Sequence, residues 1–295
     1  MCRYIWRHVS PWRVYSHVAV IIFLLLPLNS YSTTIVAILS NNTVVIAADS
    51  REIITGIPGA RPISGCKLSV VDNFAWSTSG TFRVFSRDPG TGAAKTIYDM
   101  NDFIGGIAKR QDTQEAKIER FDSSINNAII SEAKELQRTS PQTFDTYSNG
   151  RVFLEVLLIG FQHGRVTISH REYGLGVSKG KIAVGQNDWK PNCPGGGCRN
   201  PQAFFTGERE ALNKFIGLHP EVLRSTDIDY LRKVAIGFVQ TEIDAAPEKV
   251  GGSIETATID GNGIHWGGNN TICPNGKQPS KATVKPNKST GAKTR

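Results

Sequence analysis

The chain has 295 residues, with 34 Lys and Arg against 26 Asp and Glu, which gives a formal net charge of +8. The excess lies at the two ends, because residues 1–32 hold three basic residues and residues 274–295 hold six, and neither segment holds an acidic one. The body, residues 33–273, therefore carries 25 basic and 26 acidic side chains. A nucleic-acid-binding module needs its basic excess on the folded body, so that class is disfavoured. Hydrophobic content of 39% with 20% charged residues also excludes a disordered chain.

The first 32 residues predict a secretory signal peptide. Residues 1–15 are basic and aromatic, residues 18–28 form an apolar run, and small residues at alternate positions precede Thr33. This order is typical of a cleaved export signal, and the apolar run is shorter than the roughly 20 residues of a bilayer span. We therefore expect an exported protein, periplasmic or extracellular, that begins at Thr33 and keeps no stable membrane span after cleavage. An uncleaved membrane anchor is the alternative.

The cysteines agree with export. Cys2 would leave with the signal peptide, and the four that remain are Cys66, Cys193, Cys198 and Cys273. An even set is expected where disulfides persist, and four cysteines allow three pairings. The glycine-rich segment from Cys193 to Cys198 is flexible enough to close on itself, which would leave Cys66 to pair with Cys273. The other pairings stay open, and a zinc site is a further alternative.

The body alternates groups of strands with groups of helices. The first predicted elements are two hairpins, 33–39 with 43–48 and 67–71 with 74–78, followed by a helix along Ile97, Met100, Ile104 and Ile107 and a helix along 118–136. A third hairpin, 152–161 with 165–170, precedes a glycine- and proline-rich segment. The last elements are a short strand (203–206), a helix (208–216), a helix along 228–239 capped by Ser225 or Thr226, and a fourth hairpin, 253–259 with 264–266. This grouping predicts an α+β fold in which packed antiparallel sheets are covered by helices.

The first hairpin brings chemically useful residues together. A two-residue turn at Asn41-Asn42 places Thr34 opposite Asp49, so the Asp49 carboxylate lies beside Thr33, the residue that cleavage frees. The hydroxyl of an N-terminal threonine can attack a carbonyl while its own α-amine takes the proton. That amine titrates near roughly 7.7 to 8.0, and a nearby cation lowers its pKa. Lys67, at the head of an otherwise apolar strand, is the candidate cation.

Four segments carry a family resemblance: TTIVAI from Thr33, VIAADSR up to Arg51, KLSVVD from Lys67, and STSG up to Gly80. They resemble the opening of the proteasome β-subunit family of N-terminal nucleophile hydrolases. Beyond Gly80 the resemblance continues only in the order of elements. It implies a four-layer αββα sandwich, in which helices flank two packed antiparallel sheets, and threonine-type hydrolysis of peptide or other amide bonds.

The resemblance also implies roles for individual residues. Thr33 takes the place of the nucleophile, and Asp49 that of the aspartate that supports the active-site lysine, Lys67. A backbone N–H at Ser79 or Gly80 takes the place of the donor to the oxyanion. No metal or organic cofactor is implied.

The sequence departs from the family pattern in the outer part of the site. Phe205-Thr206-Gly207 stands where the family has a Gly-Ser-Gly turn, so Thr206 is the candidate for the equivalent hydroxyl. Val250-Gly251-Gly252 keeps two glycines but lacks the serine that precedes them in the family. Asp244 and Glu248 are the nearby carboxylates, and Asp244 is the candidate for the outer network. The stretch from Arg51 to Lys67 is also longer than in the family.

Three functional hypotheses follow. The leading one is an exported threonine hydrolase that cleaves peptide or other amide bonds through an acyl-enzyme. The second is a catalytically silent binding protein of the same fold in the cell envelope, whose lysine-rich tail, predicted to be disordered, contacts an anionic surface. The third is an acylase for small amides, because one fold supports several substrates. A homo-oligomer is compatible with all three.

Overall fold

The computed structural model describes residues 33–52, 62–81, 83–87, 90–91, 94–162, 165–191 and 198–267. The predicted signal peptide, the basic tail, Cys193 and Cys273 lie outside these residues, so cleavage, tail disorder and cysteine pairing stay predictions. Within the described ranges, no helix combines the length and the apolar character that crossing a bilayer requires.

A five-stranded antiparallel sheet contains both strands of the first hairpin. Its spatial order is β12 (Cys198–Gly207), β1 (Thr34–Asn41), β2 (Thr43–Asp49), β13 (Ile254–Asp260) and β14 (Gly263–Gly267). The β1–β2 pairing runs from Ser40 opposite Thr43 to Ile35 opposite Ala48, which confirms the predicted register. The fourth predicted hairpin is present as β13–β14.

A second five-stranded antiparallel sheet holds the other predicted hairpins. Its order is β11 (Lys181–Trp189), β10 (Arg165–Ser178), β9 (Val152–Gln162), β6 (Phe74–Gly80) and β5 (Leu68–Val71). β10 runs well past the predicted end of its strand and turns at Lys179-Gly180, where both residues have positive φ, into β11. The prediction missed β11 because only its first half, with Ile182 and Val184 partly buried, alternates in burial, and the rest of the strand is exposed.

Two small sheets and five helices complete the described part of the chain. The small sheets pair β3 (Arg51–Glu52) with β4 (Ile63–Ser64) and β7 (Arg83–Arg87) with β8 (Ala94–Asp99). The helices are α1 (Met100–Ala108), α2 (Gln114–Thr139), α3 (Pro141–Ser148), α4 (Glu210–Leu218) and α5 (Ile228–Ala245), with a 3-10 turn at Pro220–Leu223. The predicted α+β class with antiparallel sheets is confirmed.

Two helix boundaries differ from the prediction because aspartates cap the helices. Ile97 belongs to β8, and α1 begins only after Asp99, whose side chain accepts the N–H of Asn101 at 3.0 Å. Asp227 caps α5 by accepting the N–H of Tyr230 at 2.6 Å, so the prediction of Ser225 or Thr226 as the cap was wrong. Aspartate is as good a cap as serine, and it stands directly before the first helical residue.

The apolar side chains of β1 divide between its two faces. Ile35 and Ala37 pack in a cluster with Leu157 of β9, which joins the two large sheets. Val36 on the opposite face packs in a cluster with Phe238 of α5. A third cluster packs residues of β6 and β9 against α1, α2 and α3. Both faces of β1 are thus covered, in keeping with the uninterrupted apolar run at residues 35–39.

Candidate active site

The register of the first hairpin brings Asp49 to the start of β1. The N–H of Thr34 donates a hydrogen bond to Asp49 Oδ1 at 2.8 Å, and both residues are buried. The other carboxylate oxygen, Oδ2, accepts the backbone N–H groups of Arg51 and Gly251, each at 3.1 Å. Burial raises the pKa of Asp49, and Lys67 together with these three N–H donors opposes that rise. Asp49 therefore ties the starts of β1 and β3 to the segment that leads into β13.

Lys67 contacts the predicted nucleophile directly. Its Nζ donates a hydrogen bond to Thr33 Oγ1 at 2.6 Å. Thr33 is fully buried and Lys67 is 6% exposed, so water screens this contact little. Burial lowers the pKa of Lys67, the carboxylates of Asp49 and Glu52 oppose that effect, and the Arg83 cation adds to it. The sequence predicted that Lys67 would act on the Thr33 amine, whereas the structure brings it to the hydroxyl.

Ser79 and Gly80 end strand β6. Gly80 has φ +84°, and a Cβ at this position would lie 2.6 Å from the carbonyl oxygen of Phe153, so the turn requires glycine. Ser79 is fully buried, and its hydroxyl donates to Glu155 Oε2 at 2.9 Å. The sequence assigned these two residues to the oxyanion through their backbone, and the side-chain anchor on Glu155 was not foreseen.

The end of β12 lies against Thr33, but through its backbone. The N–H of Glu208 donates to the carbonyl oxygen of Thr33 at 2.8 Å. A Cβ on Gly207, which has φ +83°, would overlap that same carbonyl oxygen. Thr206 is buried with no hydrogen-bond partner for its hydroxyl among the described residues, so no contact links it to the Thr33 hydroxyl. The predicted role of Thr206 therefore gains no support from the geometry.

Asp244, the candidate for the outer network, is exposed on α5. Its carboxylate accepts a hydrogen bond from Gln240, one helical turn earlier, at 2.7 Å. The described contacts of Thr33, Asp49 and Lys67 do not include it, so the structure does not bring Asp244 to the site. The prediction of Asp244 depended only on its being an acidic residue near Gly251 and Gly252 in the sequence. In the structure, α5 directs its side chain to solvent.

Two serines, Ser50 and Ser253, lie close to Gly251 and Gly252, which the family's serine would precede. Ser50 Oγ accepts the N–H of Ser253 at 2.9 Å and lies 3.3 Å from its hydroxyl. Gly252 lies between them with φ +82°. No local motif marks either serine, because they are 203 residues apart in the chain and only the pairing of β2 with β13 brings them together.

A group around Glu155 was also missed. This glutamate is fully buried in β9, and its Oε1 accepts a hydrogen bond from Arg209 Nη1 at 2.5 Å. Its Oε2 accepts the N–H of Gly207 as well as the Ser79 hydroxyl. A lone acidic residue inside the apolar run VFLEVLLIGF was a signal that could have indicated it.

A cavity of about 370 Å³ opens beside the Asp49 contacts. Arg51, Pro62, Ile63, Ser64 and Gly252 line it. Arg51 is a donor to Asp49, and Gly252 follows the other donor, Gly251. The cavity therefore lies next to the backbone segments that donate to Asp49, while Thr33, Asp49 and Lys67 themselves are not among its lining residues.

Comparison of the chain with models of protein families and with curated proteins finds no match to either.

Proposed function

We propose that the chain is an exported N-terminal threonine hydrolase that cleaves peptide or other amide bonds through an acyl-enzyme. The observation that carries this proposal is the 2.6 Å hydrogen bond from Lys67 Nζ to Thr33 Oγ1. A buried lysine held against a threonine hydroxyl, next to a buried aspartate, is a costly arrangement for a structural core. It suits a hydroxyl that has to become a nucleophile.

The proposed fold is the four-layer αββα sandwich of N-terminal nucleophile hydrolases. Its support is the division of the core into three clusters, one between the sheets and one that packs helices on each sheet. In this arrangement Thr33 lies where the first sheet meets the end of β6. The nucleophile and the Ser79 to Gly80 backbone then come from different sheets.

The proposed reaction begins when the Thr33 Oγ attacks the carbonyl carbon of the substrate. The hydroxyl proton passes to the Thr33 α-amine, and the Ser79 or Gly80 N–H donates to the oxyanion. When the tetrahedral intermediate collapses, the C–N bond breaks and the proton moves to the leaving nitrogen. Water then attacks the ester, the amine takes a proton from it, and the acid product leaves as the threonine hydroxyl is restored.

Lys67 and Asp49 prepare the hydroxyl in this proposal. The Lys67 ammonium donates to Thr33 Oγ1 and so stabilises negative charge that develops there. Asp49 interacts electrostatically with Lys67 and favours its charged form. We propose that the cavity lined by Arg51 and Gly252, beside the backbone that contacts Asp49, receives part of the substrate.

The mature N-terminus provides the first test. We expect intact mass and N-terminal sequencing of the exported protein to identify Thr33 as residue one. A mature chain that retains residues before Thr33 would have its amine in a peptide bond, and the proposed mechanism would then fail.

Covalent labelling provides the second test. We expect a β-lactone to acylate the mature protein at Thr33, with the adduct located by peptide mass spectrometry. Thr33→Ala should abolish the adduct, and Thr33→Ser, which keeps the hydroxyl, should retain it. A wild type that never reacts, or a Thr33→Ala variant that reacts equally, would instead favour the silent binding protein.

A further inference from the structure

Glu155 is a buried acid in the middle of an otherwise apolar strand. It stands opposite Ser79 of β6 and Glu172 of β10 in the second large sheet. Its side chain has no solvent exposure. A buried carboxylate without partners is costly, so its retention in this strand calls for a set of donors.

Both carboxylate oxygens have donors. Oε2 accepts from the Ser79 hydroxyl at 2.9 Å and from the N–H of Gly207. Oε1 accepts from Arg209 Nη1 at 2.5 Å, and His170 Nε2 lies 3.8 Å away. Burial alone would raise the pKa of Glu155, but His170, Arg209 and the Gly207 N–H outweigh it and lower that pKa. These donors therefore favour the ionised form of the side chain.

Each group held by Oε2 belongs to a different part of the candidate site. Ser79 directly precedes Gly80 at the end of β6, where the proposed oxyanion donor lies. Gly207 ends β12 in the other large sheet and touches the Thr33 carbonyl, which also accepts the N–H of Glu208. One oxygen atom thus joins the oxyanion side of the site to the segment that holds the nucleophile.

We propose that Glu155 is a positioning residue that sets the separation between the Thr33 nucleophile and the oxyanion donor at Ser79 to Gly80. This inference rests on the proposed function. Glu155 does not touch the reacting atoms, and it acts through Ser79 and Gly207. A carboxylate fits this position because both of its oxygens are acceptors, one for Ser79 and Gly207 and the other for Arg209, whereas an amide would turn an NH2 donor toward one of these two sets of donors.

Arg209 gives the experiment a matched control. Its second amino group, Nη2, donates to Glu172 Oε2 at 3.0 Å, so Glu155 and Glu172 share the same guanidinium. No described contact links Glu172 to Ser79 or Gly207. Glu155→Gln and Glu172→Gln therefore each remove one negative charge beside the same arginine, but only the first puts an amide NH2 donor among the groups that Ser79, Gly207 and Arg209 now contact.

The test measures β-lactone acylation of the mature protein as a maximal rate and a half-saturating concentration. We expect Glu155→Gln to lower the maximal rate on the order of 10- to 100-fold, because small misplacements in an active site have costs of this size. The half-saturating concentration should change little. Glu172→Gln should leave both within about twofold, the size of change expected for a substitution away from the site, because Glu172 contacts Arg209 and has no described contact with Ser79 or Gly207.

Hydrogen exchange adds a readout that does not depend on activity. Exchange of the Gly207 amide should be faster in Glu155→Gln than in the wild type and unchanged in Glu172→Gln. If Glu155→Gln does not fold, Ser79→Ala takes its place, because it removes one donor and leaves the carboxylate with Gly207 and Arg209. An unchanged maximal rate in Ser79→Ala would then overturn the proposal.

The failures can be told apart. If the wild type reacts with the lactone and Glu155→Gln reacts at the same rate, the positioning role is wrong and the proposed function stands. If the wild type does not react at all, both are wrong.

Discussion

Lys67 is a buried cation whose charge depends on its neighbours. Burial lowers its pKa, while the carboxylates of Asp49 and Glu52 raise it and the Arg83 cation lowers it. The balance keeps the pKa below the ordinary lysine value, so Lys67 should lose its proton at a lower pH than an exposed lysine. Because the ammonium form donates to Thr33 Oγ1, the deprotonation of Lys67 should set the alkaline limit of reactivity.

Removing the charge of Asp49 should move that limit. Asp49→Asn deletes an interaction that raises the pKa of Lys67, so the pKa should fall further and the alkaline limb of the acylation rate should move to lower pH. The variant should also lose about 1 to 3 kcal/mol of stability, because an amide has one acceptor oxygen for the N–H groups that Asp49 now accepts. A pH profile of acylation and a urea titration measure the two effects.

Asp244→Asn is the matched control for that experiment. It makes the same chemical change on the exposed side of α5, where the carboxylate contacts only Gln240 in the described part of the chain. Its pH profile should coincide with that of the wild type. An alkaline limb that stays in place in Asp49→Asn would show that another group sets it.

At this scale, sequence reasoning succeeded where a local register was enough. Thr34 and Asp49 meet beside Thr33 because a two-residue turn fixes which residues of one hairpin face each other. Glu155 and Gly207 meet only because β9 and β12 belong to different sheets that pack together. No spacing along the chain encodes that contact, so the second group could not be predicted.

The end of β12 carries an element-scale constraint at Gly207. Its φ of +83° is in the region that favours glycine, and an added Cβ would overlap the Thr33 carbonyl. The strand can therefore lie against the start of β1 only if this position has no side chain. Gly180, in the β10–β11 turn, has a similar φ of +73° but no atom near its missing Cβ.

Substitution of these two glycines distinguishes the cost of backbone strain, which both share, from the cost of steric overlap, which only Gly207 has. We expect Gly180→Ala to cost about 1 kcal/mol, the typical penalty of a positive φ for alanine. Gly207→Ala should cost about 3 kcal/mol or more and abolish β-lactone acylation, because overpacking adds to the strain and the Thr33 carbonyl has to move. Urea unfolding of both variants measures the difference. Equal costs would mean that the close approach in β12 contributes nothing.

The predictions of elements succeeded and failed for related reasons. α2 was predicted well because Phe121, Ile125 and Ile129 repeat at helical spacing and face one cluster. The helix through Ile97 was misplaced because its apolar spacing continues across a boundary that Asp99 sets by capping. Apolar spacing shows which side chains face the core, whereas capping and turn residues decide where an element begins.

At the scale of the whole molecule, Glu132 is a buried carboxyl group without hydrogen-bond partners among the described residues, in the part of the core that the helices form. It lies in α2 beside Ala133 with no solvent exposure, and neither carboxylate oxygen has a hydrogen-bond partner among the described residues. Burial raises its pKa well above the usual value, and the negative charge of Asp99 adds to that rise. The folded protein thus holds Glu132 neutral at pH values where the unfolded chain has it ionised.

This difference makes global stability depend on pH. The contribution of Glu132 is fully present below its unfolded pKa of about 4.3 and is lost as the pH rises toward its raised folded pKa. In that window the folded state binds more protons than the unfolded state, so unfolding becomes easier with every increase in pH. The sign is opposite to that of a carboxylate held in an ion pair.

Glu132→Met should remove this dependence. Methionine fills a similar volume without a titratable group, so the variant should be more stable than the wild type by about 1 to 3 kcal/mol near pH 8, the cost of one unsatisfied buried polar group. The gain should shrink near pH 5, because the ionisation of Glu132 that favours the unfolded wild-type chain is weaker there. Glu135→Met, on the exposed face of α2 beside Arg138, should show no such change of gain with pH. The urea unfolding midpoints of the three proteins at both pH values measure these gains. If Glu132→Met gains the same stability at both pH values, the gain comes from packing alone and the titration of Glu132 has no role in stability.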